Sequence, residues 1–569
     1  MFKKTNKNQQ LDIFASISGA LKGTSAEQYS DPQAWHNLFY KHVVSRIDED
    51  LFKRLFDEKM GAPNAPIKVL IGMMAIKEAF GWSDSQLFEQ VRFNLLVRGA
   101  LGLYNLNESI PAESTYYLLR KRIHEYQVQT NIDLISQVFE KITSEQVKEF
   151  EVEGGSIRMD SKLIGSNIAW SSRYEIVHDT LVMFYNSLDT TLLSKLNLEM
   201  RSQIDELQQK KGSKIVYRSN PTEIKERLEN LGLLCYEILS IFTENDSKHY
   251  ATLKRVFEDY FITSKDTDEK VDIKKNKDIS SDSVQSPHDT DCAYRNKSGS
   301  KVKGYSMNIA ETCDTKSLNL ITDVQVEKAN ASDTDFVKPA IDQTAKVLGH
   351  YPENIHADGA YQSSGNVEFC EELDINHYFT AMQGSKARYD LHMENQQLIV
   401  TDTYTGEIIP ATLIKPGKWS IKTDKNKYRY FAQKEIDACQ RRKQIEKIPK
   451  EKRDIRNNVE ATIFQLCYHT RNNKTAYRGI IKHKFWAIIR SIWLNFKRIM
   501  KHITQIGPIH SNLRLKTPFF NQILNKNIVF YQKFDLKPAF ISFFRKIDDL
   551  FDDLILLSKK FSINKYYFL

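Results

Sequence analysis

The sequence predicts a multidomain α/β protein. Three observations carry that expectation. The chain has 569 residues, more than a single hydrophobic core can serve. Apolar residues recur at helical spacing from Pro32 to about Tyr126. After Gly154-Gly155, alternating runs and helical runs interleave, the mark of a sheet covered by helices, until a hairpin-rich stretch intervenes at 396–434.

Residues 1–30 read as a loose polar leader and residues 31–150 as a helical domain. Trp35, Leu38, Phe39 and Val43 mark one face. Val69, Leu70, Met73 and Met74 begin a helix after Pro66 that Gly81 ends. Ser83-Asp84-Ser85-Gln86 has the form of a capping box for the next helix, with Leu87, Val91 and Leu95 at four-residue steps and Gly99 and Gly102 at its close. A further helix from Glu113 carries Arg120, Lys121, Arg122 and His124. Short helices, tight turns and a basic last helix favour a helix-turn-helix-like DNA-binding domain over 31–150; the alternative is a packing or dimerisation module, which periodicity does not separate from it.

Residues 151–395 read as the first part of an α/β core, with a helical insertion at 170–290. SIRMDSKLIGSNIA alternates as a strand, with Ile157, Met159 and Ser161 on one side and Arg158, Asp160 and Lys162 on the other. An Asp in mid-strand is disfavoured by propensity; metal ligation or a salt bridge to a neighbouring Lys would account for it. Ile224, Leu228, Leu231, Cys235 and Ile238 form one face of a later helix, and Lys265–Ser286 reads as a surface loop. At Ser286–Asp291, the group His288, Asp289 and Asp291 suits Asx-turn hydrogen bonding better than a metal site.

Two strands, VKGYSMNIAE and LNLITDVQV, precede a helix over Asp335–Val347. A short strand in NIHADGAYQS ends at Asp358-Gly359, where a carboxylate would project beyond the sheet, as ligand-holding groups of open α/β sheets do. His356 reads as a packed histidine. A helix around Asn366–Leu373 and the strand HYFTA lead to a β-rich insertion, 396–440, with hairpin turns at Thr405-Gly406 and Asp424–Asn426.

Residues 441–500 return to helix. A helix starting at Pro449 carries Ile455, Val459, Ile463 and Leu466 on its apolar face, with Glu460 beside them. After Glu460 no Asp or Glu occurs until Asp535, while Arg471, Lys474, Arg478, Lys482, Lys484, Arg490, Lys497 and Arg498 accumulate. A helix-borne carboxylate followed by a basic run suits divalent metal together with nucleic-acid phosphate. Residues 501–569 form an aromatic and basic tail with no recognisable chemistry.

Net charge is +9, concentrated in the C-terminal third, which favours a polyanionic partner. The six cysteines are scattered without a C-x-x-C pair, against a zinc ribbon or a disulfide framework. Neither a signal-peptide core nor a run of 18 apolar residues is present, so a cytoplasmic protein is expected.

Asp160, Asp358 and Glu460 can meet only if the two strands lie side by side and the helix packs across them; such a trio can hold two Mg²⁺ or Mn²⁺ ions about 4 Å apart. In chain order, RMDSKLIGSNIAW, VKGYSMNIAETCD, NLITDVQVEKANASD, HADGAYQS and IRNNVEATIFQL with TAYRG and NFKRI resemble the motifs of insertion-sequence transposases of the DDE class. GWSDSQLFEQV and ESTYYLLRKR are similar to the helical N-terminal domain of the same transposases.

The resemblance spans about residues 35–500 and implies a ribonuclease-H-like mixed sheet flanked by helices. It implies that Asp160, Asp358 and Glu460 are catalytic ligands of two Mg²⁺ (or Mn²⁺) ions, and that the β-rich stretch is an insertion between the second Asp and the Glu. The activity implied is metal-dependent cleavage at element ends and strand transfer into target DNA. A metal-dependent nuclease on the same fold and a catalytically silent DNA-binding descendant stay open. The implied partners are double-stranded DNA and a second copy of the chain, with no membrane.

Arg456, one turn before Glu460, would hold a phosphate near the metals. Arg453 and Cys467 stand where relatives often have the Tyr and Lys of a Tyr-Arg-Glu-Lys pattern. Tyr477, Arg478, Lys482 and Lys484 would extend the DNA track, joined by Arg120 and Arg122 of the helical domain. Some relatives carry a cysteine cluster in the insertion; only Cys439 lies nearby here, so no zinc is expected.

Overall fold

Ser16 opens the first helix by accepting a hydrogen bond from Gly19 N, and its backbone bridges to Asn105. The computed structural model describes residues 1–5, 15–57, 60–243, 245–263, 271–297, 299–315, 317–380, 388–395, 397–423 and 427–506. Residues 1–30, expected as a loose leader, hold α1 (Ile17–Ala20) and α2 (Thr24–Ser30) in their described part, with Ile17 and Tyr29 buried. The helices α3 (Trp35–His42), α4 (Ile67–Phe80), α5 (Asp84–Phe93), α6 (Leu95–Ala100), α7 (Glu113–Thr130) and α8 (Leu134–Glu149) follow.

α4 is apolar on nearly every side and is buried accordingly. Gly81 ends it in the left-handed conformation, and Ser83 with Gln86 closes the capping box of α5. The single helix expected from Ser83 to Gly99 is two helices. Asn94 ends α5, and its side chain accepts from Leu96 N and Val97 N to start α6.

β1 (Ser156–Gly165) opens the sheet. The helices α9 (Arg173–Tyr185), α10 (Thr190–Leu193), α11 (Leu198–Gln208), α12 (Gly212–Arg218), α13 (Pro221–Ile241) and α14 (Lys248–Tyr260) then pack round a core of their own, to which α13 gives Leu228, Leu231, Cys235 and Ile238. β2 (Phe261–Thr263) pairs with β3 (Val271–Ile273), so the stretch expected as a plain surface loop is partly hairpin; residues 264–270 lie outside the described ones.

Next come β4 (Ala293–Lys297), β5 (Ser300–Thr312), β6 (Ile321–Lys328), α15 (Val337–Leu348), β7 (Asn354–Ala357), α16 (Ser364–Glu372) and β8 (Asn376–Phe379). The sheet order is β4-β5-β1-β7-β8. β6 pairs along Tyr305–Glu311 of β5, beyond the part that β4 occupies and on the edge opposite β1. β5 is antiparallel to β1, β4 and β6, whereas β1, β7 and β8 run parallel.

Gly304 of β5 faces Gly165 of β1 across a tight approach: a Cβ there would sit 2.0 Å from the Ile164 carbonyl oxygen. Backbone cannot swing aside as a side-chain tip does. Gly304→Ala is therefore expected to cost about 3 kcal/mol, measured by urea unfolding. A loss below about 0.5 kcal/mol would show that the strands part easily.

The β-rich region begins at Tyr389, earlier than residue 396. β9 (Tyr389–Glu394), β10 (Gln397–Asp402), β11 (Ile408–Pro410), β12 (Thr412–Lys415), β13 (Lys418–Lys422) and β14 (Tyr428–Ala432) form two antiparallel three-stranded sheets, ordered β11-β10-β9 and β12-β13-β14. They share a core of Leu391, Leu398, Val400, Trp419, Ile421 and Phe431 with Ile436 of α17 (Gln433–Lys447). Gly406 takes a positive φ in the turn between β10 and β11. The turn expected at Asp424–Asn426 lies outside the described residues.

The helix expected to run from Pro449 is interrupted. α18 (Lys450–Asp454) and α19 (Asn458–Leu466) are separated by a 3-10 turn, Ile455–Asn457, in which the Ile455 carbonyl accepts from Arg158 of β1 at 3.3 Å. Last comes α20 (Ile480–Ile506). On one face of the sheet, Ile157, Met159, Ala310 and Ile355 pack against Val337, Ala340 and Ile341 of α15 and Cys370 of α16. On the other, Ile164, Tyr305, Met307 and Ile309 share one core with the N-terminal helices, α19 and α20.

The result is a multidomain α/β architecture, an all-helical N-terminal region with a central mixed sheet flanked by helices. Contacts divide the chain into Met1–Thr504 and Gln505–Leu569, and of the second unit only the end of α20 is described. Among the described residues no helix is long and apolar enough to cross a membrane.

Candidate active site

Asp160 lies in mid-β1, paired across to Ile309 of β5. On its other edge β1 runs parallel to β7, with Ser156, Ile157 and Arg158 opposite Asn354, Ile355 and His356. Asp160 follows Arg158 by two residues in β1, and Asp358 follows His356 by two, just past the end of β7. Asp358 is half-buried at the exit of β7, where its Oδ1 accepts from Gly359 N at 2.5 Å and opens a 3-10 turn, Gly359–Tyr361. α19 packs across β1, burying Val459, Ile463 and Leu466 and leaving Glu460 exposed.

Asp160 registers its neighbours electrostatically. Its carboxyl is pushed up to about 6, first by burial and then by the negative charges of Asp358 and Glu460. The Ser161 N–H, 2.8 Å from Oδ1, and the Arg456 guanidinium pull the other way. The three acids and Arg456 thus share one neighbourhood.

They do not form a closed cage: among the described residues, no group of three or more His, Cys, Asp or Glu side chains could hold a metal ion as it stands. The donor chemistry nonetheless fits Mg²⁺ or Mn²⁺, which take hard carboxylate oxygens. A cation is also the charge that would relieve the repulsion felt by Asp160.

The scaffold under α19 escaped the sequence reading. Glu311 of β5, opposite Arg158 in the ladder, is fully buried. Its Oε1 accepts from Arg158 Nε and Nη2, each at 2.7 Å; its Oε2 accepts from Thr462 Oγ1 of α19 at 2.8 Å and Arg498 Nη2 of α20 at 2.6 Å. Burial pushes this carboxyl up, but Arg498 and then Arg158 outweigh it and hold the group below the usual range.

Arg490 of α20 is buried too, and donates to the Leu466 carbonyl at 3.0 Å and the Glu78 carbonyl at 2.6 Å, at the ends of α19 and α4. Asp289 makes long-range bonds where a local Asx turn was expected: it accepts from Ser166 Oγ, from Tyr305 Oη at 2.6 Å and from Gly479 N at 3.0 Å. For Glu311 and Arg490, an acid or base inside an apolar strand or helix was the only available signal.

The basic run is therefore not one exposed track. Arg490 and Arg498 point inward. Tyr477 donates its hydroxyl to Glu78 of α4. Lys484 pairs with Asp133 at 3.3 Å. Lys482 and Arg478 are exposed, the latter donating Nε to the Asn167 carbonyl at 2.8 Å. In the helical region Arg120 lies 3.8 Å from Asp84 and over the Tyr116 ring, and Arg122 lies over the Phe56 ring. Arg453 is half-buried, its Nε without a hydrogen-bond partner among the described residues. His356 is packed, stacked on Tyr378, with Nδ1 3.1 Å from the Lys452 carbonyl.

Residues 27–122 match the family described as Transposase domain (DUF772), and residues 278–496 match the Transposase DDE domain. The second match contains Asp358 and Glu460 and begins after Asp160. The chain thus carries a DDE-type transposase architecture. Its pairing of an N-terminal helical domain with a DDE domain is that of insertion-sequence transposases. No curated protein matches the chain. A cryo-EM structure of the piggyBac transposase synaptic complex with hairpin DNA aligns over 86% of this chain and 79% of that one, at 9% identity and a TM-score of 0.29.

Proposed function

We propose that the chain is a DNA transposase, cutting DNA at the ends of an insertion sequence and joining the freed strand to target DNA. The observation that supports the reading is the electrostatic neighbourhood of Asp160, whose carboxyl feels the charges of Asp358, Glu460 and Arg456, in a chain with a DDE domain match. A sheet with an antiparallel half and a parallel half supports the finer assignment of a ribonuclease-H-like fold.

Asp160, Asp358 and Glu460 would hold Mg²⁺ or Mn²⁺. Such ions supply Lewis-acid chemistry for phosphoryl transfer, activating the attacking hydroxyl and stabilising the leaving oxygen. Arg456 holds a backbone phosphate beside the acids through charge-assisted hydrogen bonds. Glu460, exposed on its helix, reaches the substrate side, while Asp160 and Asp358 are fixed by the strands. Joining requires two DNA ends to be held together, so a homodimer acting on double-stranded DNA in the cytoplasm completes the reading.

The test is an end-joining assay with Mg²⁺ and DNA carrying the element's ends. Nicked and strand-transferred products are expected, and a chelator should remove both. Cleavage without joined products would make the chain a nuclease. Binding with no cleavage under Mg²⁺ or Mn²⁺ would make it a silent DNA-binding protein.

A further inference from the structure

The β12–β13–β14 sheet has two unlike faces. Trp419, Ile421 and Phe431 point into the core shared with the neighbouring sheet. On the opposite face, by strand alternation, lie Tyr428 and Tyr430, which are 62% and 48% exposed. Tyr430 is paired across to Ser420, and Tyr428 to Lys422. Lys418 places its ammonium 4.9 Å from the centre of the Tyr430 ring.

Single exposed tyrosines are ordinary. Two on one strand face, about 6.6 Å apart along the strand, with the Lys418 ammonium over one ring and Lys422 paired across from the other, bring exposed aromatic rings and positive charge together. The charge is regional: between Ile408 and Lys434 the sequence has seven Lys or Arg against one acid, Asp424. Flat exposed rings with surrounding positive charge complement unpaired bases on an anionic backbone. In a duplex those base faces are hidden by stacking.

We propose that the outer face of the β12–β13–β14 sheet binds single-stranded DNA, with bases stacked on Tyr428 and Tyr430 and phosphates drawn to Lys418 and Lys422. The choice of DNA over another nucleic acid rests on the transposase reading; the surface itself does not. These residues add nothing to the core, so substituting them leaves the fold intact.

The full chain is titrated into fluorescein-labelled oligothymidylate and followed by anisotropy, without metal. Tyr428→Ala with Tyr430→Ala is expected to weaken binding at least 10-fold, and the two Tyr→Phe changes to stay within about 3-fold of wild type, because the rings remain. Lys418→Ala with Lys422→Ala should reduce the slope of log affinity against log salt by about 1.4 between about 50 and 200 mM. Wild-type affinity in the double Tyr→Ala variant would overturn the proposal. So would a wild-type chain that ignores the oligonucleotide, or a loss confined to self-association in sedimentation, which would make the occupant a second copy. Oligonucleotide binding through these rings without DNA cleavage would sink the catalytic reading and leave this one standing; cleavage with a ring-independent affinity would do the reverse.

Discussion

Glu311→Gln is expected to lower the stability of the chain by about 3–5 kcal/mol in chemical denaturation at pH 7. The carboxylate is fully buried between the guanidinium groups of Arg158 and Arg498. An amide keeps one acceptor but turns an NH₂ toward a cation, leaving buried positive charge uncompensated. The sign of the pH dependence follows from the carboxyl being held below its usual range. Its stabilisation is fully present above the ordinary glutamate value near 4.3 and is lost as pH falls through the lower folded value. The wild type should therefore lose this contribution in acid, and the variant should lack that portion of the acid limb. Because Thr462 on α19 is tied to the same carboxylate, cleavage should fall as well. A variant within 1 kcal/mol of wild type at pH 7 would mean that the two arginines find other partners.

Asp160→Asn is expected to reduce DNA cleavage on the order of 10³-fold or more while leaving the protein as stable as wild type, or more so, at pH 8 in a chelator. The asparagine Oδ1 can still accept from Ser161 N. The carboxyl is pushed up to about 6, by burial first and then by Asp358 and Glu460, against an unfolded value near 3.9. The folded state therefore holds the proton more tightly. In metal-free wild type the thermal midpoint should fall as pH rises from about 4 through 6, and Asp160→Asn should lack that fall. More than a tenth of wild-type cleavage would remove Asp160 from the catalytic set; a lower midpoint at pH 8 would show that burying its charge costs the fold nothing. Asp358→Asn and Glu460→Gln should lose cleavage alike.

Local chemistry carried much of this. The alternation around Asp160 gives β1, and Ser83 with Gln86 starts α5 just where the capping pattern stands. The pairing of β1 with β7 was not legible, because a strand's choice of partner depends on residues almost 200 positions away. Nor was the fate of the basic run. Charge can be counted along a chain, but whether Arg490 meets water or the carbonyl ends of two helices is decided by packing. The 3-10 turn before α19 has the same origin, since the Ile455 carbonyl is claimed by Arg158 of a distant strand.

The shared core has a consequence for synthesis. Phe39 near the start of the chain packs tilted against Trp493 and edge-on to Phe496, close to the end of the described residues. The opening helices thus wait, during translation, for a partner that leaves the ribosome more than 450 residues later. A ribosome that terminates before α20 releases a product with a bare greasy flank, fit for chaperones and proteases and not for competition with the intact protein.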